Sequence, residues 1–369
     1  MWSCTPFDVL SKIFSYLSPD SLASASSTCK QWHTCFKSYP LYTTANKPQH
    51  PPWFLAMSTR RMSSSCYAHN MARNRWHSLP LDFLTDPVRA IAPIGSLILC
   101  RPSASSTPLQ LGLCNPFTKQ FKLLPPLTTM RINPAIGVVF GINNKKGTLE
   151  DQNQFRIYVA GGMGEGPKGG ASYEPTLEVY ESEKNKWESV GWMPVEFAVR
   201  LTVWTPNESV YSQGTLYWIT SARAYSVMCL EIESKQWKEV KVPMADKLEF
   251  ASLVRRRERI VLVGGTSEGE VCLWELFVRE TNWVLIERVP SELGQRFLGC
   301  KGSWCTTKCV GSDEAMYLYR ELGTGMLVWR AVLEGDGKWE WLWVDGCCSS
   351  IRGVPSFPIK GLLIYPSIC

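Results

Sequence analysis

The chain has 369 residues, enough for one large or two ordinary domains, and a net charge of +6 that is spread along the sequence. So mild a charge does not indicate a nucleic-acid-binding protein, and no apolar run approaches the ~18 residues that span a membrane. The hydrophobic fraction of 45% and the 16 tryptophans are typical of a large β-sheet core. We therefore expect a globular protein that binds neither nucleic acid nor membrane.

Fourteen cysteines could indicate a secreted, disulfide-rich protein. The opening MWSCTPFDVL, however, lacks the charged start and the uninterrupted apolar segment of a signal peptide. Most cysteines fall within strand patterns, where a thiol behaves as a small apolar side chain; examples are Cys100, Cys114, Cys229 and Cys272. We expect reduced cysteines and a cytoplasmic or nuclear location, or both.

The first fifty residues carry the only clear helical periodicity. Thr5 is expected to cap a first helix, with Pro6 at its first position. Apolar residues then recur at helical spacing on one face: Val9, Leu10, Ile13, Phe14 and Leu17. A second helix is predicted from residues 18–20 and a short third over 29–36. Three such helices cannot bury this face themselves, so it either packs on the rest of the chain or docks on another protein. Periodicity alone does not decide between the two.

Residues 46–52, NKPQHPP, read as a linker, and from residue 53 onward one pattern recurs six times. Each copy has an apolar strand, a second strand, a polar turn, an aromatic residue and a short final strand. The aromatics are Trp76, Phe121, Trp187, Trp237, Trp283 and Trp339. Four strands repeating at about 50 residues are typical of propeller blades of the kelch type.

This pattern predicts an all-β propeller of six blades. The C-terminal KGLLIYPS (360–367) should complete the first blade beside WFLAMST (53–59) and leave no free sheet edge. A seventh blade, begun by the C-terminal segment, is the alternative. Trp187, Trp237 and Trp283 are expected to be largely buried between neighbouring sheets.

The stretch IYVAGGMGEGPKGG (157–170) raises the alternative of a phosphate-binding loop. A dinucleotide fingerprint needs a helix directly after the glycines, with its amides facing the phosphates. Residues 176–180, TLEVY, alternate instead and predict a strand, and no Gly-Lys-Ser/Thr completes a P-loop. We therefore interpret the stretch as part of a blade whose loop projects from one face.

Metal-ligating residues do not form a recognisable site. Two groups come closest, namely Cys300, Cys305 and Cys309 in one and Cys66, His69 and His77 in the other. Neither completes the four-ligand pattern of a structural zinc site. The four histidines all lie before residue 80, so they are not expected to converge on a central channel as a redox enzyme would require. We expect no metal, no cofactor and no catalytic residue.

The segment PFDVLSKIFSYLSPDSLASASSTCKQWHTC (6–35) resembles an F-box. It has the Pro, the paired apolar residues, the Leu before Ser-Pro, the Asp-Ser-Leu and the Cys-Lys-x-Trp ending. The later repeats resemble kelch repeats, with a double glycine kept near 161 and 264. Together they resemble the plant F-box/kelch-repeat family, which divides the chain into an F-box (1–45), a linker (46–52) and a kelch-type propeller (53–369).

The resemblance implies a non-catalytic substrate receptor of a Skp–cullin–F-box ubiquitin ligase. The F-box would dock on the Skp adaptor, and through it on cullin, while the propeller binds an unknown target protein. Carried over by position, the adaptor face would comprise Pro6, Val9, Leu10, Ile13, Phe14, Leu17, Leu22, Cys29 and Trp32. Thr5, Ser24 and Thr28 depart from the usual Leu, Arg and apolar residue, and each bears on the strength of docking.

Target binding is expected on the face that carries the loops between second and third strands and between blades. Those loops hold Lys168, Tyr173, Arg223, Tyr225, Glu268 and Arg296. Two other functions stay open at this point. One is a kelch-type propeller enzyme, an oxidase or a sugar-processing enzyme, and the other is an interaction scaffold without ligase activity.

Overall fold

The computed structural model describes residues 5–17, 19–38, 51–60, 65–103, 109–140, 154–166, 169–203, 209–221, 224–277, 281–299, 302–332 and 337–366. Three helices come first: α1 (Phe7–Ser15), α2 (Pro19–Ser26) and α3 (Lys30–Ser38). Pro6 has ψ 148°, so it is the residue before α1 and not its first residue, and no side chain caps this end. Most of the expected linker, residues 46–50, lies outside the described residues.

Six four-stranded antiparallel sheets follow. Blade 1 contains β1 (Trp53–Ser58), β2 (Ser65–Asn70), β3 (Arg75–Pro80) and the last strand of the chain, β26 (Ile359–Ile364). Blade 2 contains β4 (Val88–Ile94), β5 (Leu97–Pro102), β6 (Gly112–Asn115) and β7 (Gln120–Leu123). Blade 3 contains β8 (Ala135–Phe140), β9 (Phe155–Ala160), β12 (Thr176–Glu181) and β13 (Lys186–Trp192), and a hairpin of β10 (Met163–Glu165) and β11 (Ala171–Tyr173) lies between β9 and β12.

The remaining blades have the same order. Blade 4 contains β14 (Val210–Ser212), β15 (Thr215–Thr220), β16 (Ser226–Glu231) and β17 (Trp237–Lys241). Blade 5 contains β18 (Leu248–Arg256), β19 (Arg259–Thr266), β20 (Val271–Phe277) and β21 (Asn282–Arg288). Blade 6 contains β22 (Lys308–Gly311), β23 (Ala315–Tyr319), β24 (Met326–Ala331) and β25 (Trp339–Val344).

The C-terminal strand closes the ring as predicted. β26 pairs antiparallel with β1, with Trp53 opposite Ile364 and Ser58 opposite Ile359. The innermost strands β26, β4, β8, β14, β18 and β22 contact one another in a closed circle. The propeller therefore has six blades, and the C-terminal segment belongs to the first of them.

The antiparallel order separates two faces of the propeller. Turns between the second and third strands of a blade, and connections from one blade to the next, open on the same face, called here the loop face. The remaining turns open on the opposite face, called here the linker face, because β1 begins there after the linker. Connections on the loop face contain α4 (Val195–Val203), α5 (Ser291–Leu298) and α6 (Cys347–Ser350).

These three helices were not predicted, because the clear helical periodicity is confined to the N-terminus. The expectation that helices occur only there was therefore wrong. α4 and α5 follow Pro194 and Pro290 closely, and each has an acidic residue in its first turn, Glu196 and Glu292. Proline and acid at this spacing are a helix start signal that the sequence did contain.

The repeat aromatics share one position at the outermost strands, and three of them share a structural role. Each is the first or second residue of its strand. Trp76, Trp187 and Trp283 donate their indole N–H to the backbone oxygens of Asp345, Pro125 and Lys241, at 3.0, 2.9 and 2.8 Å. Each acceptor lies at or just after the end of the preceding blade's outermost strand. These three tryptophans therefore bond neighbouring blades together, whereas the indole N–H groups of Trp237 and Trp339 have no hydrogen-bond partner among the described residues.

Burial of these side chains is less uniform than predicted. Trp187 is 8% exposed, as expected, but Trp237 and Trp283 are only half-buried. The outermost strand lies at the rim of its blade, where a neighbouring blade covers one side. The Trp237 ring is partly buried because it stacks on Trp218, with ring centroids 5.8 Å apart.

The cysteines behave as small apolar side chains. Cys100, Cys114, Cys229 and Cys272 are buried inside the blades, as predicted, and all are free thiols. Burial raises the pKa of Cys114 to about 12, which keeps this thiol protonated and unreactive. In the part of the chain that the structure describes, no helix is long and apolar enough to cross a membrane.

Candidate protein-docking surfaces

The N-terminal helices pack around a small core of their own. Leu10 and Phe14 of α1 are 0% and 1% exposed, and they meet Leu22, Ala25 and Cys35 of the other two helices. The Phe14 and Trp32 rings make an edge-to-face contact, with centroids 5.4 Å apart. Three short helices can form this cluster because one face of α1 is buried by α2 and α3 together.

A second apolar stripe of α1 faces outward. Pro6, Val9, Ile13 and Tyr16 are spaced so that they lie along one side of the helix, and all four are exposed. Val9 is 44% exposed, Ile13 39% and Tyr16 67%. An unpaired apolar stripe on a well-packed helix is what docking on another protein's groove requires. We call these four residues the outer stripe.

The residues expected at the adaptor face are thus divided between two locations. Pro6, Val9, Ile13 and Cys29 are exposed, Leu17 and Trp32 are half-buried, and Leu10, Phe14 and Leu22 are buried in the helical core. The buried members can support a docking surface but cannot form it. Tyr16 was not predicted, although its spacing of three residues from Ile13 would have placed it on the stripe.

The three departures from the usual F-box pattern have structural roles of their own. The Thr5 carbonyl accepts a hydrogen bond from Gln31 Nε2 at 3.3 Å, which ties the start of α1 to α3. Thr28 Oγ1 donates to the Ser24 carbonyl at 3.0 Å, so a polar pair closes the end of α2. Ser24 and Thr28 are both exposed, and neither lies in the core of the cluster.

The glycine-rich stretch forms the hairpin β10–β11, which stands on the loop face of blade 3. Its double glycine permits a close approach, because a Cβ on Gly162 would lie 2.8 Å from the Ile132 carbonyl. Met163 exchanges two backbone hydrogen bonds with Ile132, both 2.9 Å. No helix follows the glycines, and residues 176–181 form β12 as predicted.

The base of this hairpin rests on a buried ion pair. Arg131 and Glu178 side chains are 0% exposed and bond at 2.5 Å. Arg131 also donates to the carbonyls of Gly161 and Thr176 at 3.1 and 2.9 Å. Glu178 accepts from two backbone amides in the connection between blades 2 and 3. The pair therefore holds that connection, the first glycine and β12 in one arrangement.

The residues expected to bind a target lie on the loop face but do not form one cluster. Tyr173 is 37% exposed on β11, whereas the Tyr225 hydroxyl donates to the Glu249 carbonyl at 3.4 Å. Glu268 faces Lys247 at 3.6 Å. Arg296, on α5, lies 4.1 Å above the Trp343 ring and 3.7 Å from Asp345. Lys168 and Arg223 lie outside the described residues.

Around the hairpin the loop face exposes apolar side chains that sequence reasoning missed. Met130 is 68% exposed, Trp192 71% and Val195 59%. They belong to segments that contact the hairpin or β12: the Met130 carbonyl lies near Gly164, Trp192 is paired with Thr176, and α4 packs on β11. Large apolar residues this exposed commonly mark a protein contact. The sequence shows only isolated residues in three loops.

The candidate metal ligands do not converge. Cys66, His69 and His77 lie on β2 and β3, and no group of three or more metal-ligating side chains occurs among the described residues. His69 is fully buried, and burial lowers its pKa to about 4. The ring is therefore neutral near pH 7. Its Nε2 lies 3.1 Å from Asn74 Oδ1, so it belongs to the local structure of blade 1.

Comparisons with known proteins agree with both parts of the chain. Residues 2–46 match the F-box-like family. Protein UNUSUAL FLORAL ORGANS of Arabidopsis thaliana is 23% identical over 96% of this chain and 80% of its own length. F-box only protein 6 of the same plant is 22% identical over 94% of this chain and 70% of its own. An Arabidopsis F-box/kelch-repeat protein is 21% identical, over 94% and 85%.

The fold and the comparisons with known proteins support the same assignment. Three helices with an F-box match are followed by a closed ring of six four-stranded blades, and relatives with F-box and kelch-repeat names align along nearly the whole chain. The F-box-like domain and the relatives suggest that this chain is a non-catalytic subunit of a ubiquitin ligase that recruits the substrate. The chain has an F-box-like domain at its N-terminus and is similar along nearly its whole length to F-box/kelch-repeat proteins of a plant.

Proposed function

We propose that this protein is a substrate receptor of a Skp–cullin–F-box ubiquitin ligase. In this proposal the helical cluster binds a Skp-type adaptor, which connects it to cullin, and the propeller binds a target protein. The receptor transfers nothing itself. It raises the effective concentration of target lysines near the transferase, a contribution that needs two docking surfaces and no catalytic group.

The outer stripe is the observation that carries the proposal. The helical cluster has a finished core in Leu10, Phe14 and their neighbours, yet Val9 and Ile13 remain on its surface. If α1 served only to pack the cluster, these positions would be expected to be polar, because the opposite face of the helix already fills the core. Apolar anchors on an exposed helix are typical of docking into a partner's groove.

The placement of the two faces supports the second half of the proposal. The linker enters the propeller on the linker face, whereas the hairpin β10–β11 and the helices α4, α5 and α6 all belong to the loop face. A target bound on the loop face is not obstructed by an adaptor bound through the linker. We further propose that the complex acts in the cytoplasm, the nucleus or both.

A paired substitution tests adaptor binding. Val9→Ala with Ile13→Ala removes two exposed anchors without entering the helical core. Because interface anchors commonly contribute more than about 1 kcal/mol each, co-purification with a Skp-type adaptor should fall about tenfold or more. The matched control is Val284→Ala with Leu285→Ala, which removes equally exposed apolar side chains (43% and 41%) from the rim of blade 5.

Three measurements on each variant make the result interpretable. Adaptor capture should fall only for the α1 variant, helical circular dichroism should match the wild type, and the main melting transition of the propeller should not move. Equal capture by the wild type and the α1 variant would contradict the proposal and favour a scaffold without ligase activity. With an adaptor, cullin and a transferase present, ubiquitin transfer to a captured target should follow adaptor capture.

A further inference from the structure

Among the residues that the structure describes, buried and half-buried arginines are paired, with three exceptions. Nine of the described arginines are buried or half-buried. Six of them form an ion pair with a carboxylate: Arg131, Arg156, Arg200, Arg255, Arg256 and Arg330. Arg89, Arg101 and Arg320 form none with any carboxylate of the described chain. Since an arginine is seldom buried without a counter-charge, these three, called here the unpaired arginines, need a physical explanation.

Two of the unpaired arginines face each other within blade 2. Arg89 on β4 is directly opposite Arg101 on the neighbouring strand β5. Like charges at directly opposed positions destabilise a sheet. Burial, and then the charge of Arg89, lower the pKa of Arg101, and no carboxylate contributes to its electrostatic surroundings. Arg89 and Arg101 are therefore two neighbouring positive charges that no carboxylate of the described residues pairs with.

The third lies at the end of the second strand of blade 6. Arg320 is 8% exposed and directly follows β23. Its Nε donates to Thr307 Oγ1 at 3.2 Å, and its Nη2 donates to the carbonyl of Ser303. The guanidinium lies over the Phe297 ring, with 4.8 Å from Cζ to the centroid. These partners orient the group and are neutral; the carboxylate of the adjacent Glu321 acts on the charge of Arg320 without forming an ion pair with it.

All three arginines lie at strand ends on the loop face. Arg89 is the second residue of an innermost strand that begins on this face, and Arg101 is the last residue but one of a strand that ends there. Arg320 follows a strand that also ends on this face. Blades 2 and 6 are separated around the ring only by blade 1. The three arginines that form no ion pair among the described residues therefore lie along one arc of the face proposed to receive the target.

We propose that the unpaired arginines bind the carboxylate side chains of an acidic segment in the protein that the propeller captures. Guanidinium and carboxylate form charge-assisted, often bidentate hydrogen bonds, and an Asp or Glu side chain would supply the counter-charge that the fold omits. This inference rests on the proposed function, since it names the chemistry of the target that a receptor of this kind would select.

Charge elsewhere on the loop face favours a protein over a nucleic acid. The hairpin and the first turn of α4 expose Glu165 and Glu196. A nucleic acid, which carries charge along its whole length, would be repelled by these carboxylates while it approached the arginines. A protein can carry a short acidic segment that contacts the unpaired arginines and ends before it reaches the carboxylates of the loop face.

Fluorescence anisotropy on the full chain bound to its Skp-type adaptor tests this proposal. The probe is a fluorescein-labelled peptide of alternating Glu-Gly and Asp-Gly units, and the matched probe replaces these acids by Gln and Asn. The acidic peptide should bind more tightly than the amide peptide, and its affinity should fall as salt is raised. Arg89→Gln with Arg101→Gln should weaken binding about tenfold or more, whereas Lys238→Gln with Lys241→Gln, the same charge change on the rim of blade 4, should not.

The melting temperature of the arginine variant and a DNA duplex used as a third probe distinguish the remaining outcomes. Arg89→Gln with Arg101→Gln should melt at or above the wild-type temperature, because it removes a like-charge pair, so loss of binding would not reflect unfolding. Equal binding of acidic and amide peptides, or equal affinities of the arginine and lysine variants, would overturn the inference. So would tighter binding of a DNA duplex than of the acidic peptide. Adaptor capture by the same samples tests the proposed function separately, since Arg89 and Arg101 belong to blade 2 and not to α1.

Discussion

Arg131 and Glu178 form an ion pair whose two side chains have no exposed surface and whose charged atoms lie 2.5 Å apart. Their remaining hydrogen-bonding groups are used by the Gly161 and Thr176 carbonyls and by two backbone amides. Such a pair sets an arrangement, because each charge is tolerated only while the other is in place. It positions the hairpin β10–β11 and with it Tyr173 on the loop face.

Glu178→Gln should therefore be strongly destabilising. The amide keeps the shape of the side chain but leaves the Arg131 charge buried without a partner, and breaking a buried pair in this way typically costs about 3–5 kcal/mol. The free energy of unfolding in urea measures the loss. Glu270→Gln removes one member of an exposed ion pair with Arg288 and should change it little. Equal losses for the two variants would mean that the buried pair has no special role.

The two kinds of glycine in the same hairpin should respond differently to alanine. Gly162 has φ +98°, and its Cβ would lie 2.8 Å from the Ile132 carbonyl, which already accepts a bond from Met163. Gly169 has φ +79° but open space around it. Gly162→Ala combines backbone strain with a clash and should cost about 2–3 kcal/mol, whereas Gly169→Ala should cost about 1 kcal/mol for strain alone. Thermal or urea unfolding compares them, and a larger loss at Gly169 would contradict this account.

The sequence predicted the outer three strands of each blade but not the innermost ones. The outer strands carry apolar runs, polar turns and the recurring aromatic, which are local signals. The innermost strands vary in length, from three residues in β14 to nine in β18, and they are defined by contacts around the ring and not by a shared pattern. Only β26 was placed in advance, because a propeller requires a strand that closes the first blade.

Which side chains of the docking surfaces are exposed could not be predicted from the sequence either. Val9, Leu10, Ile13 and Phe14 form one broad apolar face in the sequence, and only the positions of α2 and α3 reveal which half of it is buried. The opposition of Arg89 and Arg101 depends on the register of β4 and β5, which shifts at a bulge between Ala90 and Ala92. Neither fact follows from periodicity, because both depend on how separate elements meet.

The repeat aromatics should differ in their contribution to stability. Trp187 is nearly fully buried and bonds to the Pro125 carbonyl, so Trp187→Ala should cost about 3–5 kcal/mol. Trp283 makes the equivalent bond to the Lys241 carbonyl, but its ring is only half-buried, so Trp283→Ala should cost clearly less. Urea unfolding of both variants measures the difference. A loss at Trp283 as large as that at Trp187 would show that the bond between blades matters more than the buried area.

His69 should make the stability of the propeller depend on pH. The ring is buried against Trp76, and burial lowers its folded-state pKa to about 4, below the value of about 6.5 for an unfolded chain. Above pH 6.5 His69 is neutral in both the folded and the unfolded chain, so its contribution to stability is fully present there. As the pH falls through 6.5, the histidine is protonated first in the unfolded state. The contribution of His69 to the free energy of unfolding is then lost, by about 2 kcal/mol between pH 7 and pH 5.

The variant His69→Gln isolates this effect from the other titrating groups. Glutamine retains a donor for Asn74 Oδ1 but cannot take up a proton. The unfolding free energies of the wild type and the variant, measured in urea at pH 7, 6 and 5, should converge as the pH falls, because only the wild type loses the contribution of a neutral histidine. Parallel curves at the three pH values would show that the buried ring is protonated as readily in the folded state as in the unfolded one, and would require water to reach His69 inside blade 1.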